Sequence, residues 1–265
     1  MARVDLRCEG TSVGRLVPIL TYHSLDETGS VISLAPNVFR RQMRLLADWG
    51  FRGIRLSDLL DAWDGHVQLS ARSVVLTFDD GFRNILEQAA PVLAELGFGA
   101  TVFAVSGYCG RKNDWPSQPA GVPRLPLLSY FELRELDAAG IEVGAHGVSH
   151  EPLSRVAPEV AAAEVVGSRR DLENGLGRAV TTFAYPYGLE NPAIRELVAG
   201  QFRGACGVVM GTARPDDDRH LLPRIDAYYL RSPAAFRLFP SRVGGAYLSL
   251  RAFGRNCRSA MSRRG

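Results

Sequence analysis

Five places in this sequence carry side chains that can bind a cation or move a proton. Asp79-Asp80-Gly81 sets two carboxylates side by side, and His146-Gly147-Val148-Ser149-His150 sets two imidazoles four residues apart. Tyr185-Pro186-Tyr187-Gly188 is an aromatic turn, while His23 and the pair Arg224 and Asp226 stand at opposite ends of the chain. Two carboxylates placed directly after a buried apolar run are unfavourable unless a cation offsets them. A divalent metal does so, and it lets one carboxylate ligate while its neighbour stays free as a base. If the histidine segment makes one helical turn, both imidazoles reach the same side. Two imidazoles and one carboxylate leave positions open for water and substrate, as catalytic rather than closed structural sites do. The chemistry is then activation of water, polarisation of a carbonyl, or both. Taken singly, each stretch has a plainer account: a turn or helix cap for Asp79-Asp80-Gly81, satisfied histidines, and aromatic packing in the Tyr185 turn.

The elements that must position these residues can be read from apolar patterning. Val17–Tyr22 is an apolar strand ending at His23, and Ser73–Phe78 is a continuous apolar strand ending at Asp79. Strands are also expected near Ile54, at Thr101–Val105, at Ile141–Gly144 leading to His146, at Thr181–Ala184 leading to Tyr185, at Phe202–Val209 and at Leu221–Ile225. Between them lie helical patterns at Pro36–Trp49, Leu56–Trp63, Asn84–Leu96, Tyr130–Ala139, Pro158–Asn174 and Asn191–Val198, several closed by glycine. This alternation calls for parallel βαβ units, and seven or eight of them predict an α/β fold: a distorted (β/α) barrel of about seven parallel strands. An open doubly wound sheet is the alternative, but no G-x-G-x-x-G turn follows the first strand. In a parallel barrel the reactive groups collect at the C-terminal ends of the strands, where all five of these places fall. Residues 107–126, rich in Gly, Pro and polar residues, are expected to form a long surface loop.

Composition narrows the setting. The 265 residues are 46% hydrophobic and 22% charged, with net charge +3, which is ordinary globular composition. No apolar run approaches a membrane span, and residues 1–14 do not read as a signal peptide, so the expected location is the cytoplasm. Cys8, Cys109, Cys206 and Cys257 are widely spaced and read as free thiols. From Ala227 to Gly265 there are eight arginines and no Asp, Glu or Lys. Such a tail could meet an anionic inner leaflet, although a solvated tail is the simpler account; no aromatic-interleaved basic motif points to nucleic acid. His66, His220 and Asp216-Asp217-Asp218 are expected to be solvated loop residues, the last lacking the spacing of a calcium loop.

Thr77-Phe-Asp-Asp-Gly81, His146-Gly-Val-Ser-His150 and Phe183-Ala-Tyr-Pro-Tyr-Gly188 resemble the first three motifs of the polysaccharide deacetylase (NodB-homology, carbohydrate esterase 4) family. Val17–His23 with the Phe39, Met43, Leu46 helix resembles the opening of its poly-N-acetylglucosamine deacetylase-like branch. The resemblance covers about residues 16–226. It implies that Asp80, His146 and His150 bind a divalent metal, usually zinc, that Asp79 is the general base, and that the Tyr187 backbone N–H helps hold the oxyanion. The family's third motif begins with an arginine that braces the base; Ala184 and Tyr185 occupy that stretch here, and Arg224 is the candidate substitute. A leucine-flanked histidine near the C-terminus is also missing, and His23 is the candidate general acid, as in the branch it resembles.

The reading that follows divides the chain into an extension (1–15), a deacetylase-like domain (16–230) and an arginine-rich tail (231–265). The expected activity is metal-dependent removal of the N-acetyl group from an N-acetylated amino sugar in a glycan or glycoconjugate. Its rivals are a deformylase or deacetylase of a lipid-linked or small glycoside, and a catalytically silent glycan-binding protein of the same fold. Trp115, Tyr185 and Tyr187 are expected as exposed aromatics able to stack on sugar rings, with packing as their plainer role.

Overall fold

The structure, a computed structural model, describes residues 16–239. The extension 1–15 and the tail from residue 240 onward, with the membrane contact expected of it, lie outside the described residues. In chain order the elements are β1 (Val17–Tyr22), α1 (Pro36–Asp48), β2 (Arg52–Ile54), α2 (Leu56–Trp63), β3 (Ser73–Phe78), α3 (Ala90–Leu96), β4 (Ala100–Ala104) and α4 (Tyr130–Ala138). There follow β5 (Ile141–Ala145), α5 (Pro158–Leu176), β6 (Thr182–Ala184), α6 (Pro192–Ala199), β7 (Gly204–Met210), β8 (Thr212–Ala213), β9 (Leu222–Asp226) and α7 (Pro233–Leu238).

Seven of these strands run parallel in the order β1-β3-β4-β5-β6-β7-β9, and the sheet closes because β1 pairs with both β3 and β9. The fold is the distorted (β/α) barrel predicted from the alternation of elements. β2 adds to β3, and β8 runs antiparallel beside β1. Closure buries both faces of the strands, so β3, β4, β5 and β6 are buried at every residue, which explains their largely apolar sequences.

Side chains fill the interior. Ile19, Val75, Phe103, Ala184, Cys206 and Leu222 form one cluster with Leu56, Leu59 and Leu60 of α2, which plugs the N-terminal mouth. The plug is tied by polar contacts: Glu142 accepts from Thr101 Oγ1 (2.7 Å), Thr182 Oγ1 (2.8 Å) and the Ser57 N–H (3.1 Å). A Cβ on Gly144 would stand 2.6 Å from the Phe103 ring and 2.7 Å from Thr182 Oγ1, so glycine leaves room for the phenyl group that fills the barrel. The outer cluster lies between strands and helices. In α1, Pro36 suits the first turn, Phe39, Met43 and Leu46 form the buried stripe, and Gly50 in the left-handed region (φ 76°) follows the end.

The segment expected as one helix over 84–96 is split into a π-turn, Ile85–Ala89, and α3. Pro91 lacks the N–H that would continue a regular ladder into the preceding turn, which accounts for the wider winding there. Two elements went unanticipated. β8 is too short to leave a periodic signal, and α7 lies past the expected boundary at 230, with Phe236 stacked on Trp49 (5.9 Å between centroids) and Phe239 beside Phe51. Among the described residues no helix is long and apolar enough to cross a membrane.

Replacing Gly144 with Ala should destabilise the fold by roughly 1–3 kcal/mol through overpacking against Phe103, read as a lower urea midpoint at unchanged slope. A midpoint equal to that of the parent would show that the barrel interior has slack at this layer.

Candidate active site

The site residues stand one position past their strands because the ladder continues beyond each strand end. The Asp79 N–H bonds Tyr22 O (2.9 Å), the His146 N–H bonds Ala104 O (3.0 Å) and the Tyr185 N–H bonds Cys206 O (3.3 Å). The barrel thus fixes these backbones at one rim, and Asp80, His150 and Tyr187 follow in tight turns. Among the described residues, these three are the non-glycine residues with positive φ: 69° at Asp80, 59° at His150 and 58° at Tyr187. Such conformations are unfavourable for side chains with a Cβ, and their confinement to one rim marks a constrained site.

Asp80, His146 and His150 are all buried, and each offers one ligand atom within 4.8 Å of the others. Asp80 Oδ1 lies 3.1 Å from His150 Nε2 and 3.4 Å from His146 Nε2. His146 Nδ1 is 2.7 Å from Ala184 O, a contact that places the ring proton on Nδ1 and leaves Nε2 free to ligate. One carboxylate oxygen and two imidazole nitrogens converging in a buried pocket fit a divalent metal. Burial alone would raise the Asp80 pKa, but hydrogen bonds from His146 and His150 and the nearby imidazole charges hold it far below the usual carboxylate range. His150 is shifted down, chiefly by burial; His146, opposed by burial, is shifted up by Asp80 and Asp79.

The two histidines converge by a route other than the helical turn expected from their spacing. Residues 146–150 form a loop, with Gly147 (φ 77°) and His150 both left-handed. Gly147 and His150 therefore reverse the chain where a helix would have carried it onward.

Asp79 is 4% exposed and takes no part in the ligand trio. Arg224, buried on β9, donates Nη1 to Oδ1 and Nη2 to Oδ2, both at 2.7 Å, and its Nε to Gly207 O at 2.9 Å. Burial would raise the Asp79 pKa, yet the Arg224 charge, with His146 and His23, lowers it below the ordinary value. His23 Nε2 lies 3.9 Å from Asp79 Oδ2, and the His23 side chain is one-quarter exposed (25%) at the open side. Arg224 and His23 thus flank Asp79 from β9 and β1.

These groups face one cavity of about 340 Å³, bounded also by Tyr187, Gln118, Val122, Val31, Ile32 and Val208. Trp115 and Tyr185 line it too, but neither is the exposed aromatic expected from the sequence. Trp115 is 2% exposed and stacks on the His150 ring (4.3 Å), while Tyr185 is 1% exposed and donates its hydroxyl to His220 O. The bulk of both rings is used in packing. His220, expected to be solvated, is half-buried, with Nε2 3.0 Å from Phe202 O; His66 is exposed as expected. Tyr187 is half-buried, packs edge-on against His150 (4.4 Å) and donates its hydroxyl to Ser117 O. The loop 107–126 is therefore no free surface loop: Ser117 Oγ also bonds His150 O (2.9 Å), strapping the loop over the histidines. Ser117, Gln118 and Val122, like Asn84, which ties the β3 turn to Ser24 and Leu25, had no recognisable local pattern in the sequence. Cys206, inside the barrel, has its thiol pushed up to about 12 by burial and is no nucleophile.

Removing the guanidinium by Arg224→Met should cost about 3–5 kcal/mol of stability, because it leaves the buried Asp79 carboxylate unpaired. Denaturant unfolding at neutral pH checks this, and the deficit should shrink in acid, where Asp79 can protonate. A deficit independent of pH would mean that the lost packing matters more than the pair.

The model of the polysaccharide deacetylase family matches residues 66–201, just over half of the chain. That segment contains Asp79, Asp80, His146, His150 and Tyr187, while His23 and Arg224 come from either side of it. YxkH of Bacillus subtilis (strain 168) is 26% identical over 223 residues, covering 83% of this chain and 74% of YxkH. The poly-beta-1,6-N-acetyl-D-glucosamine N-deacetylase of Staphylococcus aureus (strain MSSA476) is 25% identical over 206 residues, covering 73% of this chain and 67% of its own length. Among solved structures, the Streptococcus pyogenes deacetylase PplD in complex with acetate superposes with a TM-score of 0.71 at 21% identity, covering 81% of this chain and 93% of that one; it shows the shared fold.

Proposed function

Because this chain belongs to the polysaccharide deacetylase family, we propose that it removes N-acetyl groups from an amino-sugar glycan or glycoconjugate in a metal-dependent hydrolysis. It is a hydrolase of carbon–nitrogen bonds other than peptide bonds. The observation that carries the proposal is the division of labour between adjacent carboxylates: Asp80 turns toward His146 and His150, while Asp79 stays outside that trio, paired with Arg224 and facing the same cavity.

Asp80, His146 and His150 would hold the metal, zinc in this reading, which supplies Lewis-acid polarisation of the acyl oxygen and of the attacking water. Asp79 takes the proton from that water. The two parallel bonds from Arg224 keep its carboxylate ionised and fix its plane, so that a lone pair rather than a proton faces the cavity. The backbone N–H of Tyr187 donates to the acyl oxygen as negative charge develops there. His23, at the open side of Asp79, passes a proton to the departing sugar nitrogen, and acetate and the free amine leave. The cavity walls of Trp115, Val122 and Val208 exclude bulk water from the reacting carbonyl.

Asp79→Asn should lower acetate release from chito-oligosaccharides or poly-N-acetylglucosamine by at least about 10²-fold while leaving bound zinc stoichiometric. Asp80→Ala and His146→Ala should lose both zinc and activity. Undiminished zinc in the latter two overturns the ligand assignment. Glycan binding without acetate release by the zinc-loaded parent would favour a silent binding protein.

A further inference from the structure

The loop that carries both histidines is gripped from two sides. Its carbonyls are met by residues 106–117: the Ser106 N–H bonds Gly147 O, the Gly107 N–H bonds Val148 O, and Ser117 Oγ bonds His150 O. Its amides turn the other way, to one side chain on α5. Glu164 Oε2 accepts from the Val148 N–H (2.8 Å) and the Ser149 N–H (2.9 Å), and Oε1 accepts from Ser149 Oγ (2.6 Å). Glu164 is 6% exposed, and no Lys or Arg pairs with it among the described ion pairs. It shares the buried face of α5 with Ala161, Val165 and Ser168, so the helix delivers the carboxylate beneath the loop. A Cβ on Gly147 would stand 2.8 Å from Oε2, so the glycine lets the carboxylate close on the turn.

The consequence falls on His150. The His146 ring is oriented by Ala184 O and follows directly from β5, whereas His150 Nδ1 is buried with no hydrogen-bond partner among the described residues. With no second bond to aim its ring, the position of His150 Nε2 depends on its left-handed backbone and on packing against Trp115 and Tyr187. The backbone just before it is what Glu164 fixes.

We propose that Glu164 is a positioning residue for the metal centre, holding the 147–149 backbone so that His150 Nε2 meets His146 and Asp80. This rests on the reading of Asp80, His146 and His150 as a metal site. The carboxylate acts at a distance through two peptide N–H groups and touches neither the metal ligands' nitrogens nor the substrate cavity.

The test compares the full chain with Glu164→Ala, Glu164→Gln and Glu164→Asp, measuring zinc affinity by chelator competition, the visible spectrum of the cobalt(II)-loaded protein, and the unfolding midpoint without metal. Glu164→Ala should weaken zinc binding about 10–100-fold and alter the cobalt bands. Glu164→Gln should restore both, since its amide oxygen can accept from the two N–H groups and its amino group can donate to Ser149 Oγ. Glu164→Asp keeps the charge but withdraws it by one methylene, so it should behave like Glu164→Ala and carries the test should the alanine variant fail to fold. Parent-like zinc affinity and cobalt bands in a folded Glu164→Ala or Glu164→Asp protein would overturn the proposal and leave the metal site standing. A parent chain that takes up neither ion would remove the site itself, and the proposal with it.

Discussion

Two neighbouring carboxylates at the end of one buried strand are the constraint from which the rest of this site follows. Asp79 and Asp80 are both taken out of water at a rim of the barrel, where an unpaired ion costs several kcal/mol. The chain resolves this by turning them apart. The left-handed turn at Asp80 sends its carboxylate toward the imidazoles, while Asp79 receives the fork of Arg224. Neither partner is near in sequence. Arg224 arrives from β9 and the imidazoles from beyond β5, so the barrel must close before the carboxylates can be accommodated.

Closure also explains where backbone strain is placed. The barrel strands supply a rigid frame, and the first residue after β3, β5 and β6 is still tied to its neighbour by the ladder. The unfavourable dihedrals come one to four residues later, at Asp80, His150 and Tyr187, where the chain has left the ladder but is held by side chains. Ser117 and Glu164 grip the histidine loop, and Ser117 also receives the Tyr187 hydroxyl.

Much of this was legible in the sequence because strand-end chemistry leaves a local signature. Apolar runs ending in His23, Asp79-Asp80, His146 and Tyr185 located one rim, and the alternation of strands and helices located the barrel. What escaped was whatever depends on the direction of a side chain or on contact across the fold. The spacing of His146 and His150 was right for convergence, but glycine and left-handed geometry achieve it rather than a helical turn. Trp115 and Tyr185 were expected to be exposed because a Gly- and Pro-rich loop and a turn usually are; instead the 107–126 loop folds onto His150 and buries Trp115. Glu164 sits in an ordinary amphipathic helix, and nothing in its neighbourhood distinguishes it from a solvated glutamate until α5 packs against the loop.

The most direct measurement is anomalous scattering at the zinc edge from crystals of the purified protein. One strong peak is expected in direct contact with Asp80, His146 and His150, with the Asp79 carboxylate outside the coordination shell and still paired with Arg224. A peak ligated by Asp79 in place of Asp80, or zinc bound elsewhere while these three residues remain without an ion, would contradict it.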